Sequence, residues 1–305
     1  MHVGHLGGPL DELRRLWRFA EERGFDWFSV SDHFQETPHR DGRGDCFESI
    51  ATLTAAAADT TRVRVGCLVF SIGYRNPGLL AKSVTTIDHI SNGRAECGIG
   101  AGWNEPEYRA FGYDFPGVGT REDQLEEYAA VLRLMFDQPV ADFEGAHYAL
   151  RDAVNNPRPR RGRLPLWIGG AGEKRTLRTA ARYADGWNAP YLDPTEWRRK
   201  NEVLDRWCDS VGRDGTQIAR TINVGFYMGA DAAGVAAAQE RYRSEWAADT
   251  RGFTGFLLGT PARAADTANA YREAGVERLN IAVRGGPYDW DALSAFAEEV
   301  IPALR

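Results

Sequence analysis

A membrane span needs about 20 consecutive apolar residues, and no run in this 305-residue chain approaches that length. The amino terminus carries no leader pattern of basic then apolar residues, so a cytoplasmic protein is expected. Cysteine is scarce. Cys46, Cys67, Cys97 and Cys208 form no C-x-x-C and no metal-ligand spacing, which argues against a disulfide framework and against a bound metal. Cys67 and Cys97 fall inside apolar strand patterns and read as buried, reduced thiols. Positive charge is not in excess: 37 Lys and Arg stand against 43 Asp and Glu, for a net charge of −6. With the basic residues scattered, neither nucleic acid nor a membrane surface is expected as a partner. The densest basic run, Arg158-Pro-Arg-Arg-Gly-Arg163, is too short to reverse that.

What is present is alternation. Apolar, β-branched runs predict strands over 25–30, 62–70, 94–99, 164–168, 218–227 and 278–283. Between them, helical spacing predicts helices over 10–23, 47–58, 77–92, 121–136, 173–183, 194–211, 232–246, 262–274 and 290–304. Pro77 stands where a first helical turn tolerates it. Strand and helix alternate without a linker or internal repeat over residues 1–305. That pattern favours an α/β fold of one domain, a single (β/α)8 TIM barrel with loop insertions, over a doubly wound sheet. Met1 to Pro9 is short and Gly-rich for a full first strand, so strand one is expected to be clipped.

Four places carry candidate chemistry. His33 follows Asp32 at the carboxyl end of the second predicted strand, where barrel ligands bind. Histidine suits general acid/base work near neutral pH; the alternative is a histidine that braces its loop. Gly98-x-Gly100-x-Gly102 ends the 94–99 strand and is followed by Trp103-Asn104. Glycines let the backbone approach a flat ring, and Asn104 offers a donor and an acceptor, or else caps the next helix. Gly169-Gly170-Ala171-Gly172 follows a strand and opens a helix, so its free N–H groups can hold a phosphate. Lys174, Arg175 and Arg178 add positive charge there, unless the loop is a plain αβ turn with a basic face beyond it. Trp103 and Trp187 occupy predicted pocket-facing turns, where an indole stacks on a ring or walls off solvent. The acidic, aromatic segment from Pro106 to Phe115 is a candidate wall.

In order along the chain, Val30-Ser-Asp-His-Phe34, Tyr74-Arg-Asn-Pro77, Gly98-Ile-Gly-Ala-Gly-Trp-Asn104, Asn155-Asn-Pro-Arg-Pro159, Leu166-Trp-Ile-Gly-Gly-Ala-Gly-Glu-Lys-Arg-Thr-Leu177 and Asp185-Gly-Trp-Asn188 together resemble the bacterial-luciferase-like superfamily. The 155–157 and 168–177 blocks are most similar to its F420-dependent oxidoreductase members. The resemblance implies the same barrel, often dimeric, binding a two-electron ring cofactor: the deazaflavin F420 first, or FMN as the alternative. It places Asp32 and the segment Leu68, Val69, Phe70 and Ser71 against the cofactor ring, with a non-prolyl cis peptide near Leu68–Val69 backing the ring. It makes His33 the catalytic base, as in deazaflavin-dependent sugar-phosphate dehydrogenases. Those enzymes also carry a glutamate in the turn after strand four, matched here by Trp103, so their activity does not carry over. The activity implied is F420-dependent hydride transfer to or from a small organic substrate; the runner-up is an FMNH2-dependent monooxygenase, and the third a non-catalytic flavin-binding protein. A deazaflavin has carbon in place of the central ring nitrogen, so it moves hydride without activating oxygen. Its acidic tail would want a basic groove, for which Arg158, Arg160, Arg161 and Arg163 are the candidates.

Overall fold

The protein is described here by a computed structural model covering residues 1–35, 44–246 and 251–304. Strands β1 (His2–His5), β2 (Trp27–Val30), β3 (Arg64–Ser71) and β4 (Ala95–Gly100) come first. An antiparallel hairpin, β5 (Ala141–Glu144) and β6 (Ala149–Ala153), forms a separate sheet. Then follow β7 (Leu166–Gly169), β8 (Gly186–Pro190), β9 (Ala219–Met228), β10 (Phe256–Gly259) and β11 (Arg278–Arg284). The ring runs β1-β2-β3-β4-β7-β8-β9-β11 and closes where Val3 pairs with Val283, so eight parallel strands make a (β/α)8 barrel. The ninth strand, β10, pairs with the upper part of β9, from Gly225 to Met228.

Helices α1 (Leu10–Glu22), α2 (Ser49–Asp59), α3 (Pro77–Ile90), α4 (Glu105–Ala110), α5 (Val118–Asp137), α6 (Thr176–Tyr183), α7 (Pro194–Val211), α8 (Ala232–Trp246) and α9 (Pro261–Ala274) connect the strands. A last helix, α10 (Trp290–Ala295), continues through a π-helical stretch into α11 (Ile301–Leu304). Local sequence explains the sharpest boundaries. Asn76, Asp193 and Thr260 each precede a proline and accept a hydrogen bond from a first-turn amide, at 2.8, 2.9 and 3.4 Å. These caps satisfy donors that the helix itself leaves open. Gly212 and Gly275 end α7 and α9 at φ 69° and 104°, which a residue with a Cβ resists.

The first strand, although only four residues long, pairs on both sides, His2 with Ser29 and with Ala282. Trp187, expected in a turn, lies in β8, and 256–259 and the hairpin are strands beyond those the sequence pattern predicts. A strand of four or five residues has too few positions to show a period, and Gly186 and Pro190 read as breakers.

The amino end of the barrel is plugged. Trp27 and Trp167 stack at 5.4 Å with Leu68 beside them, and the Arg278 guanidinium lies 4.4 and 4.8 Å from the two rings. Arg278 pairs at 3.1 Å with the buried carboxylate of Glu96, which also takes Arg64. Removing one partner of a buried ion pair strands the other charges. Both arginines keep some water contact, so Glu96→Ala is expected to lower stability by about 2–4 kcal/mol, read as a shift in the urea midpoint.

Candidate active site

At the opposite end, the carboxyl ends of the strands surround a cavity of about 370 Å³. Its wall brings together Asp32, His33, Leu68, Val69, Ser71, Asn104, Gly169, Gly170, Ala171 and Gly172. A neighbouring hollow of about 450 Å³ shares the Arg284 wall, but is lined by His5, Tyr227, Tyr288 and Asp289 and contains neither His33 nor the glycine loop.

His33 stands just beyond β2, and its Nδ1 lies 2.8 Å from Glu107 Oε2 on α4. Glu107 stands behind this wall and holds the lining residues His33, Tyr74 and Asn104. Nearly fully buried, it also accepts from the Phe34 and Gln35 amides at 2.6 and 3.1 Å, Tyr74 Oη at 2.8 Å and Asn104 Nδ2 at 3.3 Å. Burial pushes its pKa up, but the bond and charge of His33, then the Phe34 and Tyr74 bonds, outweigh burial and hold it below the usual carboxylate range. An ionised carboxylate only accepts hydrogen bonds, so Nδ1 carries a proton and Nε2 is the nitrogen left for chemistry. Trp103 meets the His33 ring edge-on at 5.6 Å. Asn104 is the residue before α4, yet its side chain makes no capping bond; it reaches Glu107 instead.

Asp32 is held by three donors: Ser49 Oγ at 2.6 Å, the Ser71 amide at 2.9 Å and Arg75 Nη1 at 2.7 Å. Arg75 also takes Glu48 at 2.6 Å. The Asp32 charge is therefore matched, and it fixes the end of β3 where Ser71 enters the wall.

The Leu68–Val69 peptide is cis. Val69 projects between β4 and β7. A Cβ at Gly100 would lie 2.6 Å from Val69 Cγ2, and one at Gly169 2.5 Å from Val69 Cγ1. Glycines are needed at both places for the bulge to fit, which leaves a flat floor suited to a ring. Phe70 does not share that floor. It is fully buried, paired with Ile99 and packed in the core behind the sheet, because a strand alternates its faces.

The glycine loop leaves β7 towards α6. Gly170 has φ 129°, and its amide donates to Asn188 O at 3.1 Å. Among the described residues, the Ala171 and Gly172 amides donate to no backbone carbonyl. A Cβ at Gly172 would lie 2.6 Å from Thr176 Oγ1, so the loop is a concavity that any larger residue would fill. These features fit a phosphate group.

Three expectations about this region need correction. Lys174 and Arg175 are exposed and form no part of the cavity wall; Arg175 Nη1 is held by Gly119 O and Asp123 Oδ1, each at 2.7 Å. The helix starts at Thr176 rather than 173, and this turns those side chains outward. Trp187 lies in β8, fully buried, stacked on Trp197 at 5.6 Å. Its Nε1 donates to Gly170 O at 2.7 Å, so it braces the glycine loop from behind instead of touching a ligand. The arginine run 158–163 sits at the other end of the barrel. Arg160 N bonds Asp88 in the last turn of α3, Arg161 packs on Gly93 ahead of β4 and Arg163 pairs with Asp185 ahead of β8. It forms no groove at the cavity.

Sequence reasoning missed the far wall: His2, Ser31, Glu122, Thr176, Asn188, Tyr191, Asn223, Arg251, Phe253 and Arg284. Buried Ser31 Oγ and Asn223 Oδ1 have no partner among the described residues, and both residues line the cavity. Arg251 lies 4.3 Å over the Trp103 ring and 4.7 Å from that of Phe253, spanning the mouth. Glu107 had one signal, its place in the 106–115 segment expected as a wall.

A closed (β/α)8 barrel with a histidine–carboxylate pair, a glycine-backed floor and a loop of open amides at its carboxyl end has the layout of a barrel enzyme. The profile of the family described as luciferase-like monooxygenase matches residues 2–281, and the chain belongs to that family of oxidoreductases. An uncharacterized protein of Mycobacterium tuberculosis is 31% identical over 276 residues, 86% of this chain and 90% of the relative. The F420-dependent glucose-6-phosphate dehydrogenase of Kineococcus radiotolerans is 31% identical over 208 residues, 67% of this chain and 60% of that enzyme. An F420-dependent secondary alcohol dehydrogenase, solved with an F420–acetone adduct, superposes with a TM-score of 0.85 over 100% of this chain and 98% of its own; at 20% identity this likeness speaks for the fold. Among the described residues, no helix is long and apolar enough to cross a membrane.

Proposed function

We propose that the protein is an F420-dependent oxidoreductase that transfers a hydride between the deazaflavin ring and a small organic substrate. The observation that carries this reading is the meeting, in one cavity, of the Val69 bulge, the Gly169–Gly172 loop and His33, with Glu107 bonded behind it. The F420-dependent relatives support the choice of cofactor. When bound, the deazaflavin supplies the hydride or receives it. The chain does the rest. Val69, backed by Gly100 and Gly169, is the ring floor, Asn104 offers hydrogen bonds to a polar ring edge, and the Ala171 and Gly172 amides hold the phosphate. His33, oriented by Glu107, takes or gives the proton at Nε2 as the substrate oxygen gains or loses negative charge. Trp103 and Phe253 restrict water at the mouth.

Titrating the purified protein with F420 and separately with FMN, followed by cofactor fluorescence, tests this. Saturable F420 binding at micromolar concentration or tighter, with weak FMN binding, is expected. The opposite preference would replace this reading with an FMN-dependent monooxygenase, and binding of neither would remove the cofactor site.

A further inference from the structure

Beside the glycine loop stands a carboxyl group that a phosphate site would not be expected to have. Glu122, on α5, lines the cavity beside Gly172 and Thr176. Thr176 Oγ1 lies 2.9 and 3.0 Å from its two oxygens, and a Cβ at Gly172 would stand 3.9 Å from Glu122 Oε1. Four charged or polar neighbours face it. Arg121 and Asp123 share its helix, while Arg175 and Thr176 come from the loop and start of α6. Both arginines have partners of their own, although Arg121 Nε is buried without one among the described residues. Arg121 stacks over Phe115 at 3.8 Å and donates to Pro116 O at 2.5 Å, and Arg175 is held by Asp123 and Gly119. What reaches the Glu122 carboxyl directly is therefore the Thr176 hydroxyl. Burial, the largest influence, pushes its pKa above the ordinary value despite the Thr176 bond and both arginines.

An anionic phosphate seated on the Ala171 and Gly172 amides would face this carboxyl across Thr176. Two negative charges so placed repel, whereas a protonated carboxyl donates a short hydrogen bond to an anionic oxygen. We propose that Glu122 is a proton-carrying member of the phosphate cradle: the cofactor's phosphate binds together with one proton on Glu122, and binding weakens as pH rises. The proton comes from solvent, no covalent bond changes, and the inference rests on the cofactor reading above. Glu122 is thus a specificity-determining residue, setting the pH range over which a phosphate-bearing cofactor is held.

The test is calorimetric titration with F420 at about pH 8, in two buffers of different ionisation heat, for the wild type and Glu122→Gln. Glutamine keeps the size and the Thr176 partner but carries no proton to exchange. The F420 phosphate is a diester with no proton to exchange near this pH, so the phosphate adds nothing to the uptake, and the difference between the two proteins isolates Glu122. Expected for the wild type is uptake approaching one proton per site, with a Kd that rises by up to about tenfold per pH unit above neutrality. Glu122→Gln should show neither, and at about pH 8 should bind about tenfold more tightly or better. Absence of uptake by the wild type overturns the proposal without any variant, so the test survives if Glu122→Gln folds poorly. Equal uptake and equal pH slope in the two proteins, or no uptake by the wild type, would overturn the proposal while leaving the cofactor reading intact. If F420 does not bind, FMN is titrated in its place; its own phosphate proton contributes equally to both proteins, so their difference still isolates Glu122. Binding of neither cofactor would overturn both readings.

Discussion

Glu107→Gln is expected to cut turnover by roughly a hundred- to ten-thousandfold, close to the loss from His33→Asn, with the double variant losing little more. The carboxylate accepts at Oε2 from His33 Nδ1 and at Oε1 from the Phe34 amide. Glutamine offers one acceptor and one donor. With its oxygen kept for the Phe34 amide, its NH2 group faces Nδ1 and forces the proton to Nε2, turning the reactive nitrogen from acceptor to donor. Glu107 is a positioning residue, so a readout besides rate is decisive. Nitrogen NMR of the His33 ring should show Nδ1 protonated in the wild type and Nε2 protonated in the variant. A variant that keeps the wild-type tautomer, or keeps turnover within a few-fold, would sink the pairing argument. Turnover would be followed on the substrate that a screen of alcohol and carbonyl pairs selects. Stability should fall by about 1–3 kcal/mol as well, because buried donors lose an acceptor.

The second large effect is on acid stability. His2 lines the cavity, is 3% exposed, and its Nδ1 lies 2.9 Å from Ser29 Oγ. Burial, followed by nearby positive charge including Arg284, pushes its pKa down to about 3. Between the ordinary value of 6.5 and about 3, the unfolded chain therefore binds a proton that the folded one refuses, and stability falls as pH falls. Each unit corresponds to about 1.4 kcal/mol, so acidification from about pH 6.5 to 5 should remove about 1–2 kcal/mol through His2 alone. Urea midpoints for the wild type and His2→Asn across this window isolate that share from the carboxylates. The wild type should lose stability faster by about that amount, and parallel curves would show that His2 accepts its proton when folded. The same depression keeps His2 uncharged beside His33 at neutral pH.

Both effects come from groups whose importance the sequence showed unevenly. The barrel was legible because long elements such as α7 and β9 carry a full period and explicit caps, and the order of motifs located the β3, β4 and β7 ends of the cavity. His33, Asn104 and the glycine loop stood out as candidates because each has a local pattern, whereas Val69 came only from the family resemblance. Glu107 was not, because its role depends on α4 turning back across the β2 end, 74 residues away in sequence. The side chain of Trp187 was misassigned because its facing depends on a β8 too short to show a period. The arginine run failed differently: proximity in sequence to the glycine loop suggested proximity in space, but a strand lies between them and carries the chain from one end of the barrel to the other. His2 and Glu122 gave no local sign, since what makes each unusual is burial.

The placement of the Trp27–Trp167–Arg278–Glu96 plug opposite the cavity has a consequence for how such a chain can change. The ion pairs and stacked rings that hold the barrel shut sit at one end, and most groups that meet a ligand sit at the other, with Leu68 common to both. Sequence drift in the loops beyond β1, β4 and β9 can retune what the cavity accepts without loosening the plug, and strengthening the plug can offset stability lost to such drift. A library confined to those loops, built on a background stabilised at the Glu96 end, is the arrangement most tolerant of new substrate preferences.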